Sequence, residues 1–228
     1  MRLRVMPILL AMSSLLGTSV WGAGPILTPQ QIQAAIQEGA KYKTFDQYLE
    51  KGFDAKPLRW NKPGRRTVGV ERVQLASNMA TDGTSKYATF FNDWRAVAAE
   101  AAAARQQMRE LKADDVQSKG FLHAFVEVHA RGASGTGKLD RRYGHERAHL
   151  VLKIGDRIVQ PVDKGMIYRD GQSATMALLG SPSGKITLEF AFDVAPEDLQ
   201  NPVEVILIDG DGNKHHKVAD LSGILNVD

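Results

Sequence analysis

The residues with the clearest chemical potential lie close together near the middle of the chain. His145, Glu146 and His149 follow the pattern His-Glu-x-x-His. On a helix, residues four apart point the same way, so two imidazoles at this spacing can bind one zinc ion while the glutamate activates water. The pattern is typical of zinc-dependent hydrolysis, with His145 and His149 as candidate metal ligands and Glu146 as the candidate catalytic base.

This pattern resembles the motif of zinc peptidases, and the resemblance implies those three roles. The neighbouring sequence favours another structure, because His149 continues into β-type residues that predict a strand over 149–154, ended by a turn at Gly155. At ~3.3 Å per residue, His145 and His149 on a strand would lie about 13 Å apart and could not share a metal ion. We therefore expect no cofactor and keep zinc-dependent hydrolysis as the alternative function.

A second pattern, immediately upstream, imitates a phosphate-binding loop. Gly132, Gly137 and Lys138 have the spacing of GxxxxGK, but Leu139 occupies the position where Ser or Thr coordinates magnesium. Glycine and serine are also the residues expected in a flexible hairpin loop. We interpret this stretch as such a loop and expect no nucleotide site.

A third stretch, residues 209–213, imitates the start of a calcium-binding loop. Asp209 and Asp211 occupy its first and third positions, but the sixth position holds Lys214 where the loop needs glycine. A tight turn after the strand predicted at 203–208 accounts for the same residues.

The N-terminus predicts export. A basic start is followed by an apolar run over residues 6–20 and by small residues, as in a secretory signal peptide spanning residues 1–23. Cleavage after Gly22 is favoured over cleavage after Ala23, because the latter leaves the bulky Trp21 at the minus-three position. We expect a periplasmic or extracellular protein with no transmembrane anchor after cleavage.

Composition narrows the possible chemistry further. The 228-residue chain contains no cysteine, which excludes disulfides, thiol catalysis and cysteine-bound zinc. Its formal net charge is +3, and loss of Arg2 and Arg4 with the signal peptide lowers this to +1. A disulfide-free exported protein of this size is typical of a bacterial envelope or its surroundings.

Before residue 120 the apolar residues recur at helical spacing. Thr28, Pro29 and Gln31 form an N-cap, a first-turn proline and a capping box, which predict a helix start. A long stripe of aromatic and aliphatic residues predicts another helix over 85–111. Residues 24–118 are therefore expected to be mainly helical, with a basic linker.

After residue 120 the apolar residues alternate instead. About seven short strands separated by turn residues are typical of an antiparallel sandwich. We predict an α+β chain whose residues 119–228 form a β-sandwich of immunoglobulin-like architecture.

The basic linker suggests one kind of partner. Residues 40–72 contain nine Lys or Arg and four Asp or Glu, interleaved with aromatic residues. Such a stretch could bind an envelope polyanion, whereas the simpler interpretation is a solvated surface with its aromatics in the core. Another protein is the other partner considered, and no nucleic acid is expected.

No complete catalytic constellation emerges from these patterns. The expected function is therefore non-catalytic binding, scaffolding or association with the cell envelope, by an exported protein.

Overall fold

The computed structural model describes residues 24–52, 70–78, 84–131, 146–170 and 183–226; the predicted signal peptide lies outside them. The helical elements are α1 (Pro29–Gly39), α2 (Phe45–Gln47) with a following π-helical turn (Tyr48–Gly52), α3 (Asp93–Gln106) and two 3₁₀ turns (Ala113–Asp115 and Pro196–Leu199). The strands are β1 (Val70–Asn78), β2 (Thr84–Phe91), β3 (Leu122–Arg131), β4 (His149–Ile154), β5 (Arg157–Val159), β6 (Asp163–Asp170), β7 (Ser183–Phe192), β8 (Val203–Ile208) and β9 (Lys214–Ala219). None of the helices in these ranges is long and apolar enough to span a bilayer.

The nine strands form two antiparallel sheets. The larger has the order β1-β2-β3-β7-β6 and the smaller the order β5-β4-β8-β9. Every pairing within them is antiparallel. The antiparallel, β-rich organisation expected from the alternating pattern is thereby confirmed. The larger sheet includes strands from both sides of the boundary predicted at residue 118.

The main core lies between the two sheets. Alternate residues of the central strands point inward and are almost completely buried, which leaves their neighbours on the outer faces. The inward set includes Leu122, Ala124, Val126 and Val128 from β3, Ile186, Leu188, Phe190 and Phe192 from β7, and Leu150 and Leu152 from β4. These are the faces that the period-two pattern predicts.

A helical layer covers part of the larger sheet's outer face. Val70, Phe91 and Phe125, from β1, β2 and β3, form a second core with apolar residues of α1, α3 and the turn after α2. The molecule thus stacks helices, the larger sheet and the smaller sheet. The helical core reaches the strands at one side of the larger sheet, and β7 and β6 lie on the other side.

The first helix begins as predicted. The Thr28 hydroxyl accepts a hydrogen bond from the Gln31 amide, and the Gln31 side chain accepts one from the Thr28 amide. This capping box satisfies two amides that the helix itself cannot, which sets the start of α1.

The helix predicted over 85–111 is wrong at its N-terminal end. Residues Thr84–Phe91 form strand β2, and the helix begins only at Asp93 after the N-cap Asn92. Phe90 packs between the sheets while Phe91 packs under the helices, so both faces of β2 are buried. A strand buried on both sides loses its alternation, and its aromatics then imitate a helical stripe.

Candidate functional site

The structure places the zinc-type pattern in a turn and a strand. Glu146 and Arg147 form a turn, and His149 is the exposed first residue of β4. His145 lies outside the described residues. Over 146–154 there is no helix to bring imidazoles four residues apart onto one face. Within the described ranges no group of three or more His, Asp or Glu side chains is placed to hold a metal ion.

The other two loop patterns have different outcomes. The phosphate-loop residues Gly132, Gly137, Lys138 and Leu139 lie outside the described residues. The aspartate-rich stretch is the turn between β8 and β9, in which Asp209 accepts hydrogen bonds from the amides of Asp211 and Asn213 and from the Asn213 side chain.

The carboxylate of Asp209 is therefore part of the turn itself. Partial burial opposes its ionisation, but those hydrogen bonds lower the pKa of Asp209 below its usual value. An ionised, locally bonded side chain of this kind stabilises the turn. The turn interpretation of residues 209–213 is confirmed.

The basic stretch 40–72 is only partly described. Phe45 and Tyr48 are buried in the helical core. Arg72 lies over the Tyr87 ring and donates to Glu127, with a nitrogen–oxygen distance of 2.9 Å. These three residues of the stretch therefore serve the core and an internal ion pair, and residues 53–69 lie outside the described ranges.

A cavity that the sequence did not suggest lies on the outer face of the larger sheet. Its volume is about 210 Å³. The start of α3 and residues 117–121 form its wall, and β3, β7 and β6 form its floor. The charged residues that line it are Asp93, Lys119, His123, Asp163, Lys164 and Glu189.

Asp93 organises the wall of this cavity. One of its carboxylate oxygens accepts hydrogen bonds from the Ser118 hydroxyl at 2.6 Å and from the amides of Lys119 and Gly120 at 2.7 and 2.8 Å. The other oxygen accepts from the Phe121 amide at 3.3 Å. This single buried side chain therefore fixes residues 118–121 against the first turn of α3.

The same carboxylate also holds His123. His123 Nε2 lies 2.6 Å from Asp93 Oδ1, and its Nδ1 lies 3.5 Å from Glu189 Oε1. The Phe91 ring stacks on the imidazole with 5.8 Å between centroids. Each ring nitrogen thus faces a carboxylate, and the ring orientation is fixed.

These contacts decide the charge of the pair. Burial lowers the pKa of His123, but hydrogen bonding to Asp93 and Glu189 and their charges outweigh it and raise the pKa to about 9. Burial likewise opposes ionisation of Asp93, while the contacts with His123 and the donors of its wall lower its pKa. At neutral pH the centre is an imidazolium between two carboxylates.

The floor combines small residues with carboxylates. Across β6 and β7, Asp163 pairs with Ala191, and Gly165 pairs with Glu189. A Cβ atom built on Gly165 would meet nothing within 4 Å. The absence of a side chain there keeps the cavity open.

Chemically, the arrangement is suited to binding. Ser118 donates to Asp93 rather than to His123, so the described residues contain no hydroxyl nucleophile paired with this imidazole. Nε2 is held by Asp93, and Nδ1 has no hydrogen-bond partner among the described residues but lies 3.5 Å from the Glu189 carboxylate. The ring held between these carboxylates is protonated at neutral pH, and an imidazolium has no lone pair with which to accept a proton from a substrate. The cavity instead presents fixed charges and hydrogen-bonding groups to whatever enters it.

The sequence contains two local signals of this site. Asn92 and Asp93 read as an N-cap and an acidic first turn, and the structure has both features. A second signal is the alternation of His123 with Phe125 on the outer face of β3, because an aromatic residue beside a histidine indicates that this face is covered. Neither signal identifies Glu189, which follows much later in the chain.

Comparison with protein-family models, with curated proteins and with solved structures finds no match for this chain.

Proposed function

We propose that this is an exported, non-catalytic binding protein and that the cavity beside Asp93 and His123 is its ligand site. The observation that carries the proposal is the engagement of His123 by carboxylates on both sides. A histidine that acts as a general base needs an unprotonated nitrogen, whereas a histidine held as an imidazolium by carboxylates organises a binding site.

The size of the cavity supports the same proposal. At about 210 Å³ it is smaller than the roughly 300–1,000 Å³ of pockets that enclose whole drug-sized ligands. It suits one functional group of a larger molecule or a very small ligand. Its polar groups are held by strands and a helix start, which keeps them in place before binding.

We infer that the sandwich has immunoglobulin-like architecture. In support, β2-β3-β7-β6 correspond to strands A-B-E-D of that architecture and β4-β8-β9 to strands C-F-G. In this assignment β1 is an extra edge strand, and α3 is part of an insertion between the first two strands. The architecture by itself carries no function.

Export and envelope association belong to the same proposal. Their basis is the predicted signal peptide together with the absence of cysteine. N-terminal sequencing of the protein recovered from a bacterial periplasm should begin at Ala23 or Gly24. A chain that stays in the cytoplasmic fraction and retains Met1 would refute export. If an envelope polyanion is the partner of residues 40–72, replacing Arg65 and Arg66 by glutamate should weaken the binding of the protein to envelope fractions.

The ligand site is tested by a screen of small polar fragments with ligand-observed NMR. Fragments that bind the purified protein should lose binding in Gly165→Val, because the space beside the Gly165 Cα is open and the new side chain would occupy it. The matched control is Asp156→Asn, a conservative change in the exposed turn between β4 and β5. Fragments that bind both variants as they bind the wild type would refute the cavity as the site.

A further inference from the structure

We propose that the cavity binds an alkylammonium group, with Glu189 and Asp163 as its anionic partners. This inference rests on the proposed function, because it names the ligand chemistry of that same cavity. An alkylammonium is the group at the end of a lysine side chain and at the end of a free aliphatic amine.

The shape of the floor leaves room between two carboxylates. Asp163 and Glu189 lie on one diagonal of a square of four outer-face residues, and Ala191 and Gly165 lie on the other. Diagonal neighbours on antiparallel strands are about 7–8 Å apart. The two small residues therefore form a trough with a carboxylate on each side, wide enough for one ammonium nitrogen to contact both.

The balance of charge favours a cation. The positive charge of His123 is matched by Asp93, which lies 2.6 Å away and is buried. Apart from that pair, the floor contributes the carboxylates of Glu189 and Asp163, and the wall contributes the ammonium of Lys119. Lys164 also lines the cavity, but its ammonium donates a hydrogen bond to the Ala148 carbonyl. The Lys119 nitrogen lies over the Phe121 ring, at 5.8 Å from its centroid.

Neighbouring acids add to this negative field. Desolvation and the charges of Glu189 and Asp115 raise the pKa of Glu100 on α3, although Arg109 acts in the opposite direction. A carboxylate whose ionisation is opposed by other carboxylates reports an excess of negative charge around it.

Acceptor number distinguishes an ammonium from other cations. An ammonium has three N–H donors arranged tetrahedrally around one nitrogen. A guanidinium is planar and forms a bidentate pair with one carboxylate. The trough has a carboxylate on each of two sides, and Gln117, whose side-chain amide can accept a hydrogen bond, lines the same cavity. Acceptors on more than one side suit the donors of an ammonium better than those of a guanidinium.

The proposal is tested by titrating the purified protein with Nα-acetyl-lysine amide and following the Gly165 amide and the His123 ring by NMR. We expect binding in the millimolar range, as is typical of a single exposed charged group. Nα-acetyl-norleucine amide has nearly the same shape without the charge, and it should bind at least tenfold more weakly. Equal binding of the two compounds would overturn the proposal.

Variants locate the binding group. Glu189→Gln and Asp163→Asn should each weaken binding at least fivefold. The matched control is Glu204→Gln on β8, whose side chain is 30% exposed against 32% for Glu189, and it should leave binding unchanged. Because Asp163 is exposed and makes only a local bond to the Lys164 amide, its variant is expected to fold even if Glu189→Gln does not. Unchanged affinity in the folded Asp163→Asn variant would overturn the two-carboxylate trough.

A second probe distinguishes the sources of the group. If 1,5-diaminopentane binds more tightly than Nα-acetyl-lysine amide, the ligand is a free amine; the reverse order indicates a lysine side chain of a partner protein. If neither amine binds while neutral fragments bind and are lost in Gly165→Val, the ligand class is wrong and the cavity remains the site. If no fragment binds in a manner sensitive to Gly165→Val, the proposed function fails as well.

Discussion

The raised pKa of His123 predicts a specific pH dependence of stability. Its protonated form is stabilised in the folded protein by Asp93 and Glu189, and its pKa rises from 6.5 to about 9. Each pKa unit corresponds to about 1.4 kcal/mol, so protonation of His123 is linked to about 3 kcal/mol of folding free energy. The His123 side chain is only 14% exposed, so solvent screening reduces this little.

The sign follows from which state holds the proton more tightly. Below pH 6.5 both states are protonated, and the full contribution is present. Between pH 6.5 and about 9 the folded state keeps the proton while the unfolded state releases it, so stability falls as pH rises. Above about pH 9 the contribution is gone.

The assay is urea denaturation at pH 6 and pH 9.5 of the wild type and of His123→Gln, which removes the titrating group. The wild type should lose about 3 kcal/mol more than the variant over this interval, because all other titrating groups are common to both. Equal losses in the two proteins would refute the reasoning. Should the variant fail to fold, the His123 ring resonances of the wild type provide the test, and a titration midpoint near 6.5 would refute it.

Further predictions concern Asp93 in the cavity wall, the glycines Gly120 and Gly165, and the zinc-type pattern. Asp93→Ala should destabilise the fold by about 3–5 kcal/mol in urea denaturation, because it leaves buried donors and an imidazolium unpaired, whereas Asp115→Ala in the exposed 3₁₀ turn should change it by under about 0.5 kcal/mol. Gly120→Ala should destabilise the fold by more than about 1 kcal/mol, because φ is +69° and the new Cβ would overlap the Gly24 carbonyl. Gly165→Ala should be neutral or should stabilise the fold by about 0.5 kcal/mol. Similar urea midpoints for the two variants would contradict this difference. Metal analysis after dialysis should find well under one equivalent of zinc, and one tightly held equivalent lost in Glu146→Gln would favour the hydrolase instead.

The parts of the fold that were predictable are those set by short-range rules. Thr28 caps α1 because its hydroxyl and the Gln31 side chain serve amides within one turn. The strands after residue 120 alternate because one face meets the other sheet and the other does not. The turn at Gly155 appears because φ is +59° there, a conformation that glycine adopts freely.

The parts of the fold that the sequence did not predict depend on tertiary contacts between elements. The strand Thr84–Phe91 was taken as helix because both of its faces are covered, one by the smaller sheet and one by the helical layer. No residue of the strand itself signals a second covering layer. The layer becomes evident only when α1 and α3 are placed on the outer face.

The site was missed for a related reason. Asp93 and His123 are 30 residues apart in the chain, and Glu189 is further away still. Catalytic and metal motifs are recognisable in a sequence when their geometry is set within one helix or loop, as in the His-Glu-x-x-His pattern. A cluster assembled from a helix start and two strands has no such spacing, and its members read singly as a cap, a strand histidine and a surface glutamate.

The position of the cavity follows from the way that the layers overlap. An outer sheet face has little concavity of its own, and the helical core rests on Val70, Phe91 and Phe125 of the first three strands. At the edge of the helical layer, the start of α3 lies over the outer face of β7 and β6. The cavity is the space between α3 and these two strands. Asp93 joins the two levels, because it belongs to α3 and binds both the segment 118–121 and His123 of β3. The segment between β2 and β3, which carries α3, thus supplies the wall and the sheet supplies the floor, so a change that loosens α3 should also open the proposed ligand site.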